Sequence, residues 1–188
     1  RRNIKFVKIK NFAKEVAESC SNGLIVGYFR NKLEFGDRSL GCRSILADPR
    51  SEIIKSKINL SIKYRENYRP FAPSVKSEKS HIFFDHDKNY KCNFMERVIK
   101  VRKKYVNKLK AITHIDHTAR VHTVEKKENS DFYKILNEFE KLTGFPILLN
   151  TSFNINGEPI VCAPDDAIST FYNSKIDVLI IEDYKILK

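Results

Sequence analysis

One stretch of the sequence combines glycines and arginines in a pattern that could bind an anion. It reads EFGDRSLGCRSILADPR, residues 34–50, and it follows an apolar run. Gly36 and Gly41 could turn backbone N–H groups toward the anion, and Arg38 and Arg43 would supply forked donors. A P-loop needs Lys directly after the second glycine, where this sequence has Cys. The stretch predicts either an anion cradle of another kind or a tight turn whose arginines pair with nearby acids.

A second cation-rich stretch, KYRENYRPFAP, covers residues 63–73 and interleaves cations with aromatic residues. In an extended backbone, alternating side chains could place Lys63, Arg65 and Arg69 on one face. The other interpretation is a charged edge strand that resists aggregation. Beside the arginines of residues 34–50, this stretch favours a phosphate site.

The stretch THIDHTARVHTV, residues 113–124, contains three histidines, an acid and Arg120. A metal site here would use His114, Asp116 and His122, which lie on one face of a strand. No further ligand cluster stands elsewhere in the sequence, so strand histidines on a polar surface are the favoured interpretation.

Short polar residues follow the apolar run FPILL. Asn150, Thr151, Ser152 and Asn154 could bind phosphate oxygens or a base, because sites in α/β proteins gather at strand ends. The alternative is turn chemistry, since an Asn-Gly pair follows. Ser152 lacks the surrounding glycines of a nucleophile elbow, so we do not expect a serine nucleophile.

Composition limits the class of protein. The chain has 188 residues, 41% of them hydrophobic, and a net charge of +12, which calls for an anionic partner such as nucleic acid, a membrane surface or a phosphate compound. No apolar run approaches the about 18 residues of a membrane span, and the basic start has no secretory signal. Four scattered cysteines indicate free thiols in a reducing compartment, so we expect a cytoplasmic protein without disulfides. The absence of an initiating Met suggests a piece of a larger protein.

Periodic patterns predict a single α/β or mixed α+β layered domain in which helices and strands alternate. Residues 34–50 are predicted to be a loop between a strand and a helix. Two prolines make residues 64–75 an ordered loop or edge segment, and the polar residues 76–92 indicate a surface excursion or lid. Ser130 is expected to cap the clearest helix. The predicted helices cover 11–20, 51–62, 130–144 and 163–174, and the predicted strands cover 24–29, 94–101, 111–124, 145–153 and 177–184.

Taken together and in this order, these stretches resemble the C-terminal domain of the O-carbamoyltransferases of the nodulation and antibiotic type. The resemblance runs from about Gly27 to Tyr184 and includes FYKILNEFEKLTGFPILLNTSFNINGEPIV and the closing DVLIIEDY. It implies a YrdC-like fold for residues 1–188, with a twisted mixed sheet, flanking helices and a positively charged cavity.

The resemblance also implies an activity. Domains of this family combine carbamoyl phosphate with ATP, in the presence of Mg²⁺, into carbamoyladenylate. A preceding Kae1-like domain, which binds iron and is absent from this sequence, then passes the carbamoyl group to a hydroxyl of an acceptor. No metal site is expected in the present domain.

Site residues follow from the matching motifs. The resemblance implies that four cations bind the phosphates, and we predict that they converge on one pocket. They are Arg38, Lys63, Arg69 and Arg120, and the nucleotide site would be completed by Asn150, Ser152, Arg43, Arg65 and Asn154. Because a compact ammonium contacts a single phosphate oxygen well, we expect Lys63 to stabilise charge at the α-phosphate. At three positions the sequence departs from the usual residue of the family: Asp37 replaces Pro, Cys42 replaces Asn and His117 replaces Gly.

Two other functions remain open on the sequence. A nucleic-acid-binding module would use a continuous basic face with exposed aromatic residues. A catalytically silent domain would only shape the acceptor cleft of its partner domain. The carbamoyltransferase interpretation instead requires a basic concavity.

Overall fold

Ten strands and six α-helices occur in residues 4–188, which are the residues that the computed structural model describes. The strands are β1 (Phe6–Lys8), β2 (Val26–Phe29), β3 (Arg43–Ala47), β4 (Ala72–Lys76), β5 (Val98–Lys100), β6 (Thr118–Arg120), β7 (His122–Val124), β8 (Ile147–Ser152), β9 (Val178–Ile181) and β10 (Tyr184–Ile186). The helices are α1 (Phe12–Ser21), α2 (Glu52–Ser61), α3 (Ser80–Phe83), α4 (Lys103–Val106), α5 (Ser130–Thr143) and α6 (Pro164–Tyr172). Residues 1–3 of the predicted domain lie outside the described residues.

Eight of these strands form one mixed sheet, in the order β1-β10-β9-β2-β3-β8-β4-β7. The pairs β2–β9 and β4–β7 are parallel, and the other neighbours run antiparallel. β5 and β6 form a separate antiparallel pair. The predicted mixed sheet with flanking helices is therefore confirmed.

Both faces of the central strands are covered. On β2, Val26 and Tyr28 belong to a core that includes α1 and α5, whereas Phe29 belongs to the core on the opposite face with α2 and α6. On β8, Leu148 faces the first core, and Leu149 faces the second. Because residues 26–29 and 147–149 are buried on both faces, they are apolar at successive positions and appear in the sequence as continuous runs.

The clearest predicted helix is α5, and its ends follow local chemistry. Asn129 caps it by accepting from the backbone N–H of Phe132 at 2.9 Å, one residue before the predicted cap at Ser130. Gly144 ends it with a φ of 78°, a left-handed conformation that favours glycine. Its apolar stripe packs on α1 and on the sheet.

Two predictions along the cation-rich stretches were wrong. Residues 34–50 are not a loop throughout, because they contain the central strand β3, which is buried at every position. Residues 72–76 form an interior strand rather than a loop or edge. Pro73 is tolerated there because pairing with β7 begins only at Ser74, so the missing N–H costs no ladder bond on that side.

The segments that flank β5 to β7 also differ from the prediction. Residues 94–97 and 111–117 are turns and loops, and His117 takes a φ of 62°. The predicted surface excursion, residues 76–92, includes α3, and the side chains of Phe83 and Phe84 are buried in the core. Two aromatic anchors make this segment part of the folded layer rather than a lid.

Other sequence expectations concern membrane spans and thiols. No helix within residues 4–188 is long and apolar enough to cross a membrane. Cys20, Cys42, Cys92 and Cys162 are all unpaired. Cys20 and Cys92 are buried, so they act as small apolar side chains of the core.

Candidate functional site

Two neighbouring cavities lie along β8, beside the turn that precedes β3 and the segment that joins α2 to β4, and together we call them the cleft. The inner cavity has a volume of about 140 Å³ and the outer cavity about 410 Å³. Both cavities are lined by Arg65, Thr151 and Ser152, so they adjoin along one wall. The predicted site residues on the inner cavity include Arg38, Arg65, Arg120, Asn150 and Ser152, and those on the outer cavity include Lys63, Arg65, Arg69, Ser152 and Asn154.

Sheet register brings these residues together from distant parts of the sequence. Asn150 on β8 lies opposite Leu46 of β3 on one side and Ala72 of β4 on the other. Ser152, two residues further on, pairs with Ser44 at the end of the β3 ladder. The polar residues predicted at the end of an apolar strand therefore lie on an interior strand of the sheet, between β3 and β4.

Three guanidinium groups face the inner cavity with little neutralising charge. Burial and the charge of Arg38 lower the pKa of Arg120, and burial with the charges of Arg69 and Arg120 lowers the pKa of Arg65. Arg38 pairs with the exposed Asp37 at 3.1 Å. The buried Nε of Arg120 has no hydrogen-bond partner within residues 4–188. Like charges held together in this way favour an anionic ligand.

On the outer cavity, the two cations that do not also line the inner cavity, Lys63 and Arg69, have partners within the chain. Arg69 pairs with Glu66 at 2.8 Å. Lys63, which is 6% exposed, donates from Nζ to the carbonyl oxygens of Ser152 at 2.7 Å and Asn154 at 3.0 Å, and to Asn154 Oδ1 at 2.6 Å. Burial and the charge of Arg65 lower the pKa of Lys63 to about 7. Lys63 thus fixes the segment after β8 in the present structure.

The glycine-rich turn of residues 34–43 encloses an anion of its own. Glu34 Oε1 accepts from the backbone N–H groups of Leu40 at 2.8 Å and Cys42 at 2.6 Å, and from a third N–H at 3.3 Å. Gly41 has a φ of 102°, and a Cβ there would lie 2.2 Å from the ring of Phe132. The backbone N–H groups that could have cradled a phosphate are therefore used inside the chain, and the turn leads into a strand rather than a helix.

Arg43 is the predicted site residue that the structure places away from the cleft. Its guanidinium lies 3.5 Å from the ring centroid of Phe29 and donates to the carbonyl oxygens of Arg30 and Cys42. It lines neither cavity of the cleft. Packing and backbone bonds account for its contacts.

The metal interpretation of residues 113–124 does not fit the geometry. His114 and Asp116 lie in a turn and bond to Thr118, while His122 is buried on β7 and contacts Ser74 at 2.8 Å. The three side chains do not share one strand face. Within residues 4–188 no group of three or more His, Cys, Asp and Glu side chains could hold a metal ion.

Sequence reasoning missed two serines that support the inner cavity. Asn150 Nδ2 donates to the carbonyl oxygen of Ser39 at 3.0 Å and to Ser74 Oγ at 2.9 Å. Ser74 in turn contacts His122. The signal available in the sequence was a serine inside the apolar run of β4, where a buried hydroxyl requires a partner.

Comparison with known proteins agrees with this architecture. The sequence family described as "Carbamoyltransferase C-terminus" matches residues 17–188. Nodulation protein NolNO of Sinorhizobium fredii is 44% identical over 187 residues, which cover 99% of this chain and 28% of that protein. The 3'-hydroxymethylcephem-O-carbamoyltransferase of Amycolatopsis lactamdurans is 31% identical over 169 residues, which cover 90% of this chain and 32% of that protein.

A solved structure supports the fold independently of sequence. Full-length HypF, crystallised in a phosphate- and nucleotide-bound form, superposes with a TM-score of 0.64 at 18% identity, covering 95% of this chain and 22% of HypF. At that identity the likeness concerns the fold alone, and it agrees with the predicted YrdC-like sheet. The chain spans about a third or less of the length of the curated relatives cited above. From the match over residues 17–188, this chain belongs to the carbamoyltransferase C-terminus family.

Proposed function

We propose that the cleft binds ATP and carbamoyl phosphate and that the domain forms carbamoyladenylate in the cytoplasm. A preceding Kae1-like domain with bound iron would then transfer the carbamoyl group to a hydroxyl of a small acceptor. Membership of the carbamoyltransferase family supports the class of reaction.

The observation that carries the proposal is the group of guanidinium ions on the inner cavity. The charge of Arg38 acts on Arg120 and the charge of Arg120 acts on Arg65, and Asp37, the acid on this cavity, is exposed and forms its ion pair with Arg38. Bringing these charges together costs free energy unless an anion binds between them. Phosphate groups match guanidinium forks in geometry as well as charge.

The chemistry requires positioning and charge neutralisation more than covalent catalysis. Water cleaves carbamoyl phosphate into carbamate and inorganic phosphate, and an oxygen of the carbamate then attacks the α-phosphorus of ATP and displaces pyrophosphate, so one water is consumed for each carbamoyladenylate formed. Fixed cations around the α-phosphate stabilise the charge that develops there. Mg²⁺ would be held chiefly by the phosphates of ATP and by water, which agrees with the small number of acids on the cleft.

Each cleft residue has a proposed role. Arg38 and Arg120 grip the phosphates in the inner cavity, with Arg65 between the two cavities and Arg69 at the outer one. Lys63 contacts the α-phosphate when a ligand oxygen replaces one of the acceptors around its Nζ. The remaining nucleotide contacts come from Asn150, Ser152 and Asn154.

The test is carbamoyl-phosphate-dependent exchange of pyrophosphate into ATP, measured on the protein with its preceding domain. Calorimetry should show that both ATP and carbamoyl phosphate bind. Lys141→Ala serves as a control and should leave both exchange and binding unchanged, because Lys141 is an exposed cation on α5 that pairs with Glu138 outside the cleft. Failure of carbamoyl phosphate to bind or to stimulate exchange would contradict the proposal.

A nucleic-acid function predicts a different arrangement of charge. Tyr64 and Tyr68 are exposed near Arg69, as such a surface would require. The guanidinium ions of the inner cavity, however, lie in a concavity too small for a nucleic-acid strand. Salt titration of oligonucleotide binding distinguishes the two, since a phosphate-tracking surface loses affinity steeply with salt.

A further inference from the structure

Asn150 has an unusual hydrogen-bond balance for a residue on a cation-lined cavity. It is 1% exposed, and both hydrogens of its Nδ2 have acceptors, the carbonyl oxygen of Ser39 and the hydroxyl of Ser74. A backbone carbonyl can only accept, so the amide nitrogen must face Ser39. Oδ1 is shielded from solvent and has no partner within residues 4–188. Asn150, a lining residue of the inner cavity, therefore carries an acceptor that lacks a donor.

A buried pair behind Asn150 maintains this orientation. Ser74 Oγ lies 2.8 Å from Nδ1 of His122, and both residues are buried. Burial lowers the pKa of His122 to about 4, so the ring is neutral near pH 7 and its Nδ1 can accept the hydroxyl hydrogen. The Ser74 oxygen then remains an acceptor for Asn150 Nδ2. Register explains the pair, since Ser74 and His122 lie opposite each other on β4 and β7.

The other charged groups on the inner cavity supply mainly donors. Arg38, Arg65 and Arg120 bind anionic oxygens, and Asp37, the acid of this lining, already pairs with Arg38. A ligand that satisfies both the arginines and Asn150 Oδ1 must carry anionic oxygens and an N–H group close together. Among acyl phosphates, a carbamoyl phosphate has that N–H, whereas an acetyl phosphate has a methyl group of similar size in its place.

We propose that Asn150 Oδ1 accepts a hydrogen bond from the carbamoyl NH₂ and so selects carbamoyl phosphate over acyl phosphates without an N–H. Ser74 and His122 are positioning residues that hold the amide in the selecting orientation. This inference rests on the proposed function, and it assigns the carbamoyl end of the ligand to the inner cavity. Polar sites reject analogues that leave a buried group unpaired more strongly than apolar sites reject a change of one methyl group.

The experiment compares the affinities of carbamoyl phosphate and acetyl phosphate by calorimetry on the full-length protein. We expect the wild type to prefer carbamoyl phosphate by about tenfold to a hundredfold, the range for one unpaired buried acceptor. Asn150→Leu should reduce this ratio to near one. Ser74→Ala should lower the ratio several-fold.

Matched variants separate selection from a loss of folding. Ser80→Ala removes another buried serine hydroxyl that bonds a histidine, at 2.6 Å from His86 Nε2, and Ser80 lines neither cavity of the cleft. It should leave the ratio unchanged. His122→Phe keeps a ring against Phe132 but removes the acceptor, so the ratio should fall, and His122→Asn should restore it.

The outcomes distinguish this inference from the proposed function. If carbamoyl phosphate and acetyl phosphate bind equally well to the wild type, the selection by Asn150 is wrong while carbamoyl phosphate binding stands. If the ratio is high but survives both Asn150→Leu and the phenylalanine variant at 122, another group selects the ligand. If carbamoyl phosphate does not bind at all, the proposed function and this inference fall together.

Discussion

The turn of residues 34–43 and the inner cavity beside it both present hydrogen-bond donors suited to an anion, but the source of that anion differs. In the turn, backbone N–H groups converge on the carboxylate of Glu34, which belongs to the same segment. In the inner cavity, Arg38, Arg65 and Arg120 converge without an acid buried among them. The first arrangement is complete within the chain, whereas the second brings three guanidinium groups to one cavity, which favours an anion from outside.

This difference shows how an anion-binding pattern in a sequence should be interpreted. Glycines that free backbone N–H groups can serve structure as well as a ligand, because an acid a few residues away can occupy the cradle. Guanidinium ions that face one another have no such internal remedy, since like charges raise the free energy of the empty site. The cluster of arginines is therefore the better indicator of function.

Removing a guanidinium from the inner cavity should have the largest effect. Arg120→Ala is expected to lower carbamoyl-phosphate-dependent pyrophosphate exchange by about 10²- to 10³-fold, the usual cost of one preorganised donor. Arg102→Ala is the control, because Arg102 donates to the carbonyl oxygen of His81 and lines neither cavity of the cleft. Exchange at the wild-type rate in the Arg120 variant would contradict the assignment of the cavity.

Removing the internal anion should affect stability instead. Glu34→Ala leaves backbone N–H groups of the turn without an acceptor, so the free energy of unfolding should fall by about 1–3 kcal/mol. Denaturation by urea measures the change, and Glu138→Ala, which removes a partly exposed acid of α5 that pairs with Lys141, should change it by less than about 0.5 kcal/mol. A variant that folds normally but loses ATP binding would show that Glu34 belongs to the ligand site, and the contrast between the two regions would disappear.

The sequence was a sound guide to elements whose signals are local. The apolar stripe and flanking residues of α5 placed that helix to within a residue or two. β3 and β4 were missed because strands buried on both faces show no alternation and, in β4, because Pro73 suggested an edge. The interior position of Pro73 depends on where β7 begins to pair, which is a property of the whole sheet.

The site was predictable as a set of residue types and not as an arrangement. Arg38, Lys63, Arg69 and Arg120 were expected to meet in one pocket, but the sequence did not indicate that Arg38 and Arg120 would line an inner cavity with Arg65 while Lys63 and Arg69 line an outer one. The place of Glu34 in the turn was not foreseen, since its bonds depend on the fold of the loop. The relation of Asn150 to Ser74 and His122 arises from the register of three strands, and no spacing in the sequence encodes it.

Lys63 provides a third way to test the contrast between the turn and the inner cavity, because raising the pH removes its charge. Its pKa of about 7 in the folded chain lies below the ordinary value of 10.5, so the unfolded chain binds more protons between these limits. The free energy of unfolding should therefore rise with pH from about 7 to 10.5, by at most about 1.4 kcal/mol per pH unit, and the penalty should be complete below pH 7.

Lys63→Met isolates this contribution, since it keeps the length of the side chain and removes the titrating group. The difference in unfolding free energy between the wild type and the variant should increase with pH over that window. A difference that stays constant would mean that the carbonyl oxygens around Nζ hold the ammonium in its charged form. Lys63 would then stay charged despite its burial, as the arginines of the inner cavity do.

The smallest expected effect concerns Asp37, the acid that lines the inner cavity together with the three arginines. It pairs with Arg38 at 3.1 Å, and its side chain is 82% exposed while that of Arg38 is 43% exposed. Exposed ion pairs contribute about 0.2–1 kcal/mol, so Asp37→Asn should free Arg38 and tighten the binding of carbamoyl phosphate by no more than about fivefold. Because salt screens such pairs, the gain measured by calorimetry should shrink as ionic strength rises. Weaker binding in the variant would mean that Asp37 contacts the ligand or its Mg²⁺, and the cavity would then contain a functional acid beside its arginines.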